Sequence, residues 1–256
     1  MSKAISIRQK KVPTLYESDE SKYVGPHRWQ IKPWARMLRR GLRYRTYTRW
    51  VNEGCETVRV TGLEHLAEVG GPCLFVANHQ SHLDTLVVHA ALPEHVRSRL
   101  YFGAAQDRWF VKGKKKLVLQ PWYQSLAFGN FPILRGGGKR ALSHARWLLS
   151  QRQHVFLFPE GTRATGDALG EFKHGVSILA LDAKVPVVPI YLSGLQRIRA
   201  KGQRDVTRGV AGVEILEPIR FDDGMAVDEA TARLFGAMNR AHTNCRARDT
   251  ALSKAA

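Results

Sequence analysis

The stretch VANHQSHLDT, residues 76–85, puts two histidines and an aspartate within six positions, directly after the apolar run CLF. An imidazole beside a carboxylate can take a proton from a hydroxyl. The carboxylate accepts from one ring nitrogen, fixes the tautomer and stabilises the imidazolium, leaving the other nitrogen as a general base. His79 and Asp84 are five residues apart, about 140° around a helix, so they cannot both face one substrate from a helix body. They can meet if His79 ends a strand loop and Asp84 lies in the first turn of the next helix. The same residues also admit a purely structural account. Ser81 to Asp84 is an S-x-x-D capping box, with Ser81 as N-cap and Asp84 at N3, and a cap and a dyad can share Asp84. His82 reads as packing at the helix start.

Two other stretches could hold an anion. Arg135 precedes GGGK and a helical pattern, so a guanidinium, glycine amides and a helix N-terminus could converge on a phosphate. The alternative is an ordinary Gly-rich strand-to-helix loop. PEG at 159–161 is by itself a β-turn signal, but Arg163 and Lys173 nearby favour an anion pocket over a bare turn. The lysine run VKGKKK at 111–116 is a headgroup contact or a solvated face. The aromatics Trp109, Phe110, Trp122, Tyr123, Phe128 and Phe131 line an acyl groove or belong to the core.

These residues need elements to position them. Short apolar strands are expected in ETVRVTG, PCLFVAN, RLYFGAA, GNFPILR, HVFLFPE, VPVVPIYL and GVEILEPI. Helices are expected near 83–92, 106–118, 138–151, 175–184 and 228–244. That alternation predicts an α/β fold: a mostly parallel sheet of about seven strands with helices on both faces. The notable polar residues all fall at strand C-terminal ends, where such sheets bind ligands.

The first quarter of the chain differs. Residues 1–25 are polar, aperiodic and expected to be mobile, with no apolar core of a secretory signal. Residues 26–55 read as a basic amphipathic helical segment. Trp34, Met37, Leu38, Leu42 and Tyr44 share one face, and Arg36, Arg39, Arg40 and Arg43 take the other. This suits a membrane interface, or a helix packed on the core with a solvated arginine face. The formal net charge is +18, and residues 1–50 carry thirteen Lys and Arg against three acidic residues. Such a charge calls for an anionic partner. With no nucleic-acid-binding module in the sequence, the expected partner is an anionic lipid surface rather than nucleic acid. No apolar run approaches the roughly 20 residues of a transmembrane helix. Cys55, Cys73 and Cys245 have no paired or metal-like spacing, which suggests a reducing compartment. No G-x-S-x-G elbow is present, which weighs against an acyl hydrolase.

NHQSHLD resembles the N-H-x4-D motif of the glycerolipid acyltransferases, the family that includes the 1-acylglycerol-3-phosphate acyltransferases. GNFPILR resembles the block that ends in a phosphate-binding arginine, here Arg135. FPEGTR matches the third block in full, and FKHG at 172–175 and VPVVPI at 185–190 resemble those that follow. The resemblance spans roughly residues 56–220, so 56–256 is expected to form an acyltransferase domain. It implies a membrane-surface O-acyltransferase on the cytoplasmic face, peripheral or monotopic. The acyl group would pass from acyl-CoA or acyl-acyl carrier protein to a lysophospholipid, 1-acylglycerol 3-phosphate first among the candidates. A lyso-ornithine lipid, a glycolipid or another lysophospholipid remains as an alternative acceptor. His79 would be the base and Asp84 its orienting partner. Arg135, Glu160, Gly161, Thr162, Arg163 and Lys173 would bind substrate, Glu160 and Arg163 at the glycerol-phosphate end. Neither a metal nor a bound cofactor is required.

Overall fold

The computed structural model describes residues 27–255 apart from 111–116, 118, 119, 137, 165, 167, 201 and 204. The polar stretch 1–25 and the lysine run 111–116 lie outside the described residues. Seven strands pair among the described residues, each overlapping a stretch expected from the sequence, though β7 starts three residues earlier: β1 (Cys55–Thr61), β2 (Leu74–Ala77), β3 (Leu100–Ala105), β4 (Asn130–Ile133), β5 (His154–Leu157), β6 (Val187–Ser193) and β7 (Gly209–Ile215). They form one sheet in the order β1-β7-β6-β2-β5-β3-β4. Neighbours are parallel except β6 with β7.

The pleat sorts the apolar residues into two layers. Phe75, Phe102, Phe156, Val188 and Ile190 face one side, covered by helices α1 (Pro33–Gly54) and α2 (Asp84–Ala91). Leu74, Val76, Tyr101, Val155 and Val187 face the other, covered by α3 (Ser143–Ser150), α4 (Gly175–Ala183) and α5 (Val227–Ala255). Central strands covered on both faces explain why β2 and β5 are buried at every position. Three helices differ from the sequence expectation. The one near 106–118 is a single turn, Gln106–Trp109, before the residues outside the description. The one at 138–151 is broken at Leu142, and the last runs on to Ala255, with Asp228 and Glu229 favouring its first turn.

Helix α1 overturns the expected orientation of its arginines. Arg39 and Arg43 are only 2% and 4% exposed, whereas Trp34, Met37, Leu38 and Tyr44 all face outward. Arg39 donates from Nε to Leu126 O at 2.9 Å, and from its terminal nitrogens to Gln30 O at 2.8 Å, Ser125 O at 3.0 Å and the Tyr101 hydroxyl at 3.0 Å. Arg43 donates to Phe128 O at 2.6 Å and Leu100 O at 3.3 Å. Residues Gln124–Phe128 form a π-helical turn whose carbonyls point at the helix, and the two guanidiniums supply the donors those carbonyls need. Gly129 follows at φ +62°, and a side chain there would collide with the Arg43 guanidinium. Only Arg40 of the expected arginine face is well exposed; Arg36 is half-buried. The helix is therefore packed on the core through Ala35, Tyr47 and Val51 together with two buried arginines, with Trp34, Met37, Leu38 and Tyr44 outward.

Burial also sets an acid limit on the fold. His89, His144 and His154 are held neutral, their pKa pushed down to about 2, 3 and 4 first of all by desolvation. The unfolded chain takes up protons near pH 6.5 while the folded one does not. Stability is therefore complete above about pH 6.5 and is lost as the pH falls towards 4, at a limiting rate of about 1.4 kcal/mol per pH unit for each histidine. Denaturant unfolding at pH 7.5, 6 and 5 should show a stepwise loss; a flat profile would contradict the assignment.

Candidate active site

The candidate residues gather at the C-terminal ends of β2, β5, β3 and β4, with β2 and β5 adjacent and parallel. After β2 the side chain of Asn78 extends the ladder. Its amide donates to Leu192 O at 2.9 Å and accepts from Leu192 N at 2.7 Å, pinning the chain to β6 at the point where it leaves the sheet. His79 comes next, with its ring turned back on the following helix. Nδ1 lies 2.7 Å from Asp84 Oδ2, so Nε2 is left for the cleft. The side chain retains 21% exposure, while that of Asp84 has none.

Dyad and cap are both present, in one carboxylate. Asp84 also accepts from Gln80 N at 2.7 Å and from Ser81 N at 2.9 and 3.0 Å. The capping box is only half formed. The Ser81 hydroxyl accepts from Leu83 N at 3.3 Å and donates to Arg199 O at 2.8 Å, instead of reaching the Asp84 amide. Three donors converge on this buried carboxylate, which holds the imidazole with Nδ1–H inward.

The turn after β5 completes the pocket. Phe158 stacks on the His79 ring, with centroids 3.9 Å apart and planes 16° apart. Ala164 N donates to His79 O at 2.8 Å, which places Arg163 beside the histidine loop. Glu160 is used differently from what the family resemblance implies. It is only 4% exposed, and its oxygens accept from His79 N at 2.9 Å and Gly170 N at 3.1 Å. It braces two loops rather than facing the cleft, and burial raises its pKa. Gly161, at φ +68°, allows the turn, and the Lys173 side chain passes over it. Thr162 is exposed.

Arg135 lies just beyond β4 but is turned onto Asp107, which accepts from its Nε at 3.2 Å and a terminal nitrogen at 2.7 Å. His82 is packed against Trp109 and accepts from Arg108 at 3.1 Å. Its pKa is pushed down to about 4, first by burial and then by Arg163, Arg108 and Arg199. Arg108, Arg199, Asn78 and Phe158 carried no role in the sequence. Asn78 and Phe158 adjoin the motifs and could have been suspected; Arg199 stands over a hundred positions from Ser81, with no local signal.

The chain is similar to known proteins. The family model described as Acyltransferase matches residues 57–193. The chain is 33% identical over 180 residues to "1-acyl-sn-glycerol-3-phosphate acyltransferase alpha" of Ovis aries, covering 68% of this chain and 58% of the relative. It is 31% identical over 185 residues to "1-acyl-sn-glycerol-3-phosphate acyltransferase BAT2, chloroplastic" of Brassica napus, covering 70% and 50%. The chain thus spans only between half and three-fifths of these relatives' lengths. The crystal structure of the 1-acyl-sn-glycerophosphate acyltransferase PlsC from Thermotoga maritima shares the fold, with a TM-score of 0.63 at 23% identity over 83% of this chain and 80% of that one.

Glu160→Ala would strand the His79 and Gly170 amides. It should cost about 1–3 kcal/mol of stability and speed hydrogen exchange at His79. Unchanged protection of that amide would remove the bracing role.

Proposed function

As the chain belongs to the Acyltransferase family, we propose that it transfers a fatty acyl group from a thioester, on coenzyme A or acyl carrier protein, to the hydroxyl of 1-acylglycerol 3-phosphate, giving phosphatidic acid. The 2.7 Å contact between His79 Nδ1 and Asp84, with Nε2 left for the cleft, carries this reading. The acceptor hydroxyl loses its proton to His79 Nε2 as its oxygen bonds the thioester carbonyl carbon. The tetrahedral adduct then expels the thiolate, which takes the proton from the imidazolium. Attack is direct. Ser81 spends its hydroxyl on Arg199 O, and Cys73 is buried with its sulfur 3.2 Å from His154, so neither is set up as a nucleophile. Asp84 orients the base, and Phe158 restricts the ring to one plane.

The turn carrying Gly161, Thr162, Arg163 and Lys173, with Arg135 across the cleft, supports recognition of an anionic acceptor, and Glu160 supports it by bracing the turn. No described helix is long and apolar enough to cross a membrane. The outward stripe of Trp34, Met37, Leu38 and Tyr44 is instead suited to lie in a lipid interface, assisted by the net charge of +18. A cytoplasmic-face, peripheral or monotopic placement follows from this reading.

His79→Ala should lower kcat by about 10²–10⁴-fold with the unfolding midpoint unchanged; retained turnover would remove the dyad. Among lyso-lipids presented with acyl-CoA or acyl carrier protein, 1-acylglycerol 3-phosphate should give the highest kcat/KM, and a preference for a phosphate-free acceptor would overturn the substrate assignment. In a separate test, Met37→Glu with Leu38→Glu should abolish sedimentation with anionic liposomes while the fold survives, since both side chains already face outward. Persistent binding would place the interface elsewhere.

A further inference from the structure

His82 reads from the sequence as packing at a helix start, and the structure gives it a more specific setting. Arg108 donates to its Nε2 at 3.1 Å. A guanidinium can only donate, so Nε2 keeps its lone pair and the single proton of a neutral imidazole sits on Nδ1. Burial first, and then Arg163, Arg108 and Arg199, push the pKa down to about 4, so the ring is uncharged at neutral pH. Nδ1–H has no hydrogen-bond partner among the described residues. The half-buried ring is thus held in one tautomer with one donor unspent.

Strand order places that donor. His82 follows β2, Arg108 and Trp109 follow β3, and β5 lies between those two strands. His82 meets Arg108 and also the Trp109 ring, with centroids 6.1 Å apart and planes at 87°. These contacts must therefore pass over the C-terminal end of β5. Phe158, the first residue beyond β5, stacks on His79 at that same strand end. Both histidines of the loop accordingly stand over the end of β5.

A tetrahedral adduct formed beside His79 needs a hydrogen-bond donor for its oxyanion. Many of the surrounding backbone amides are already engaged. Gln80 N and Ser81 N serve Asp84, His79 N serves Glu160, and Leu83 N serves the Ser81 hydroxyl. Gly161 N and Ala164 N serve the Phe158 and His79 carbonyls. A neutral imidazole N–H suits the task, because it donates without setting a second positive charge against the protonation of His79.

We propose that His82 is a further catalytic residue, donating from Nδ1–H to the thioester carbonyl oxygen as that oxygen becomes an oxyanion, and that Arg108 is the positioning residue that fixes its tautomer. His82 gives up no proton. The hydrogen bond tightens as charge develops and relaxes when the thiolate leaves, while the proton of the acceptor hydroxyl travels through His79 alone. The target of the donor rests on the acyl-transfer reading above; the tautomer does not.

His82→Leu should lower kcat by about 10²–10³-fold, with the KM for lyso-lipid and for acyl-CoA nearly unchanged. In His82→Asn the side-chain amide can take the place of Nδ1–H, and about ten-fold or more of that loss should return. His82→Gln, whose amide reaches towards the Nε2 position, should bring no such recovery. Retained kcat in His82→Leu, or equal losses in all three variants, would overturn the donor role. A second measurement does not depend on turnover. Nitrogen NMR of ring-labelled histidine at neutral pH should find His82 protonated at Nδ1 and bare at Nε2, and Arg108→Met should let the other tautomer appear. A proton on Nε2 in the unaltered protein would overturn the proposal. A proton on Nδ1, in a protein that acylates no lyso-lipid, would uphold the neutral donor while the acyl-transfer reading falls.

Discussion

The site depends on one buried negative charge. Asp84 has no exposed side-chain surface, and removing a carboxylate from water is costly unless donors replace its hydration. Here the donors come from three consecutive residues, His79, Gln80 and Ser81. The loop must therefore wrap around the carboxylate, and that path decides where the imidazole points and where the Ser81 hydroxyl goes. Orienting the His79 imidazole and starting helix α2 are a single electrostatic event.

Other contacts hold this loop against the sheet from several directions. Asn78 fastens its start to β6 through both edges of an amide. Glu160, from the turn after β5, accepts the His79 amide, and Ala164 donates to the His79 carbonyl. Ser81 reaches the chain beyond β6 at Arg199. With its backbone polar groups occupied, the loop keeps little freedom, and freedom in the base is what a proton transfer of defined geometry cannot tolerate.

The arginines of α1 solve a separate problem. A π-helical turn at Gln124–Phe128 leaves carbonyls facing the protein interior, and buried carbonyls require donors. Arg39 and Arg43 reach them with long apolar stems and planar forks, so no carboxylate is needed to accompany them inward. Burial pushes the Arg43 pKa down to about 10, which still leaves it charged at neutral pH. The same docking turns Trp34, Met37, Leu38 and Tyr44 outward, so anchoring the helix to the domain and presenting an apolar stripe follow from one set of contacts.

The strands were legible because burial on both faces enforces apolar runs such as LFVA and HVFL, and composition alone reports them. His79 and Asp84 were legible because their contact spans five residues, within reach of local spacing rules. The partners of these side chains were not legible: Glu160 and Arg135 match their motifs, and the structure pairs one with two backbone amides and the other with Asp107. The inward turn of Arg39 and Arg43 was hidden for the same reason, since periodicity assigns a cation to solvent unless distant carbonyls claim it. By itself, then, the sequence determined the sheet, the dyad and the strand ends where chemistry gathers, all products of local pattern and solvent partition. Only the tertiary structure decided which partners those charged side chains take, because hydrogen-bond partners a hundred positions apart are set by strand order and not by spacing.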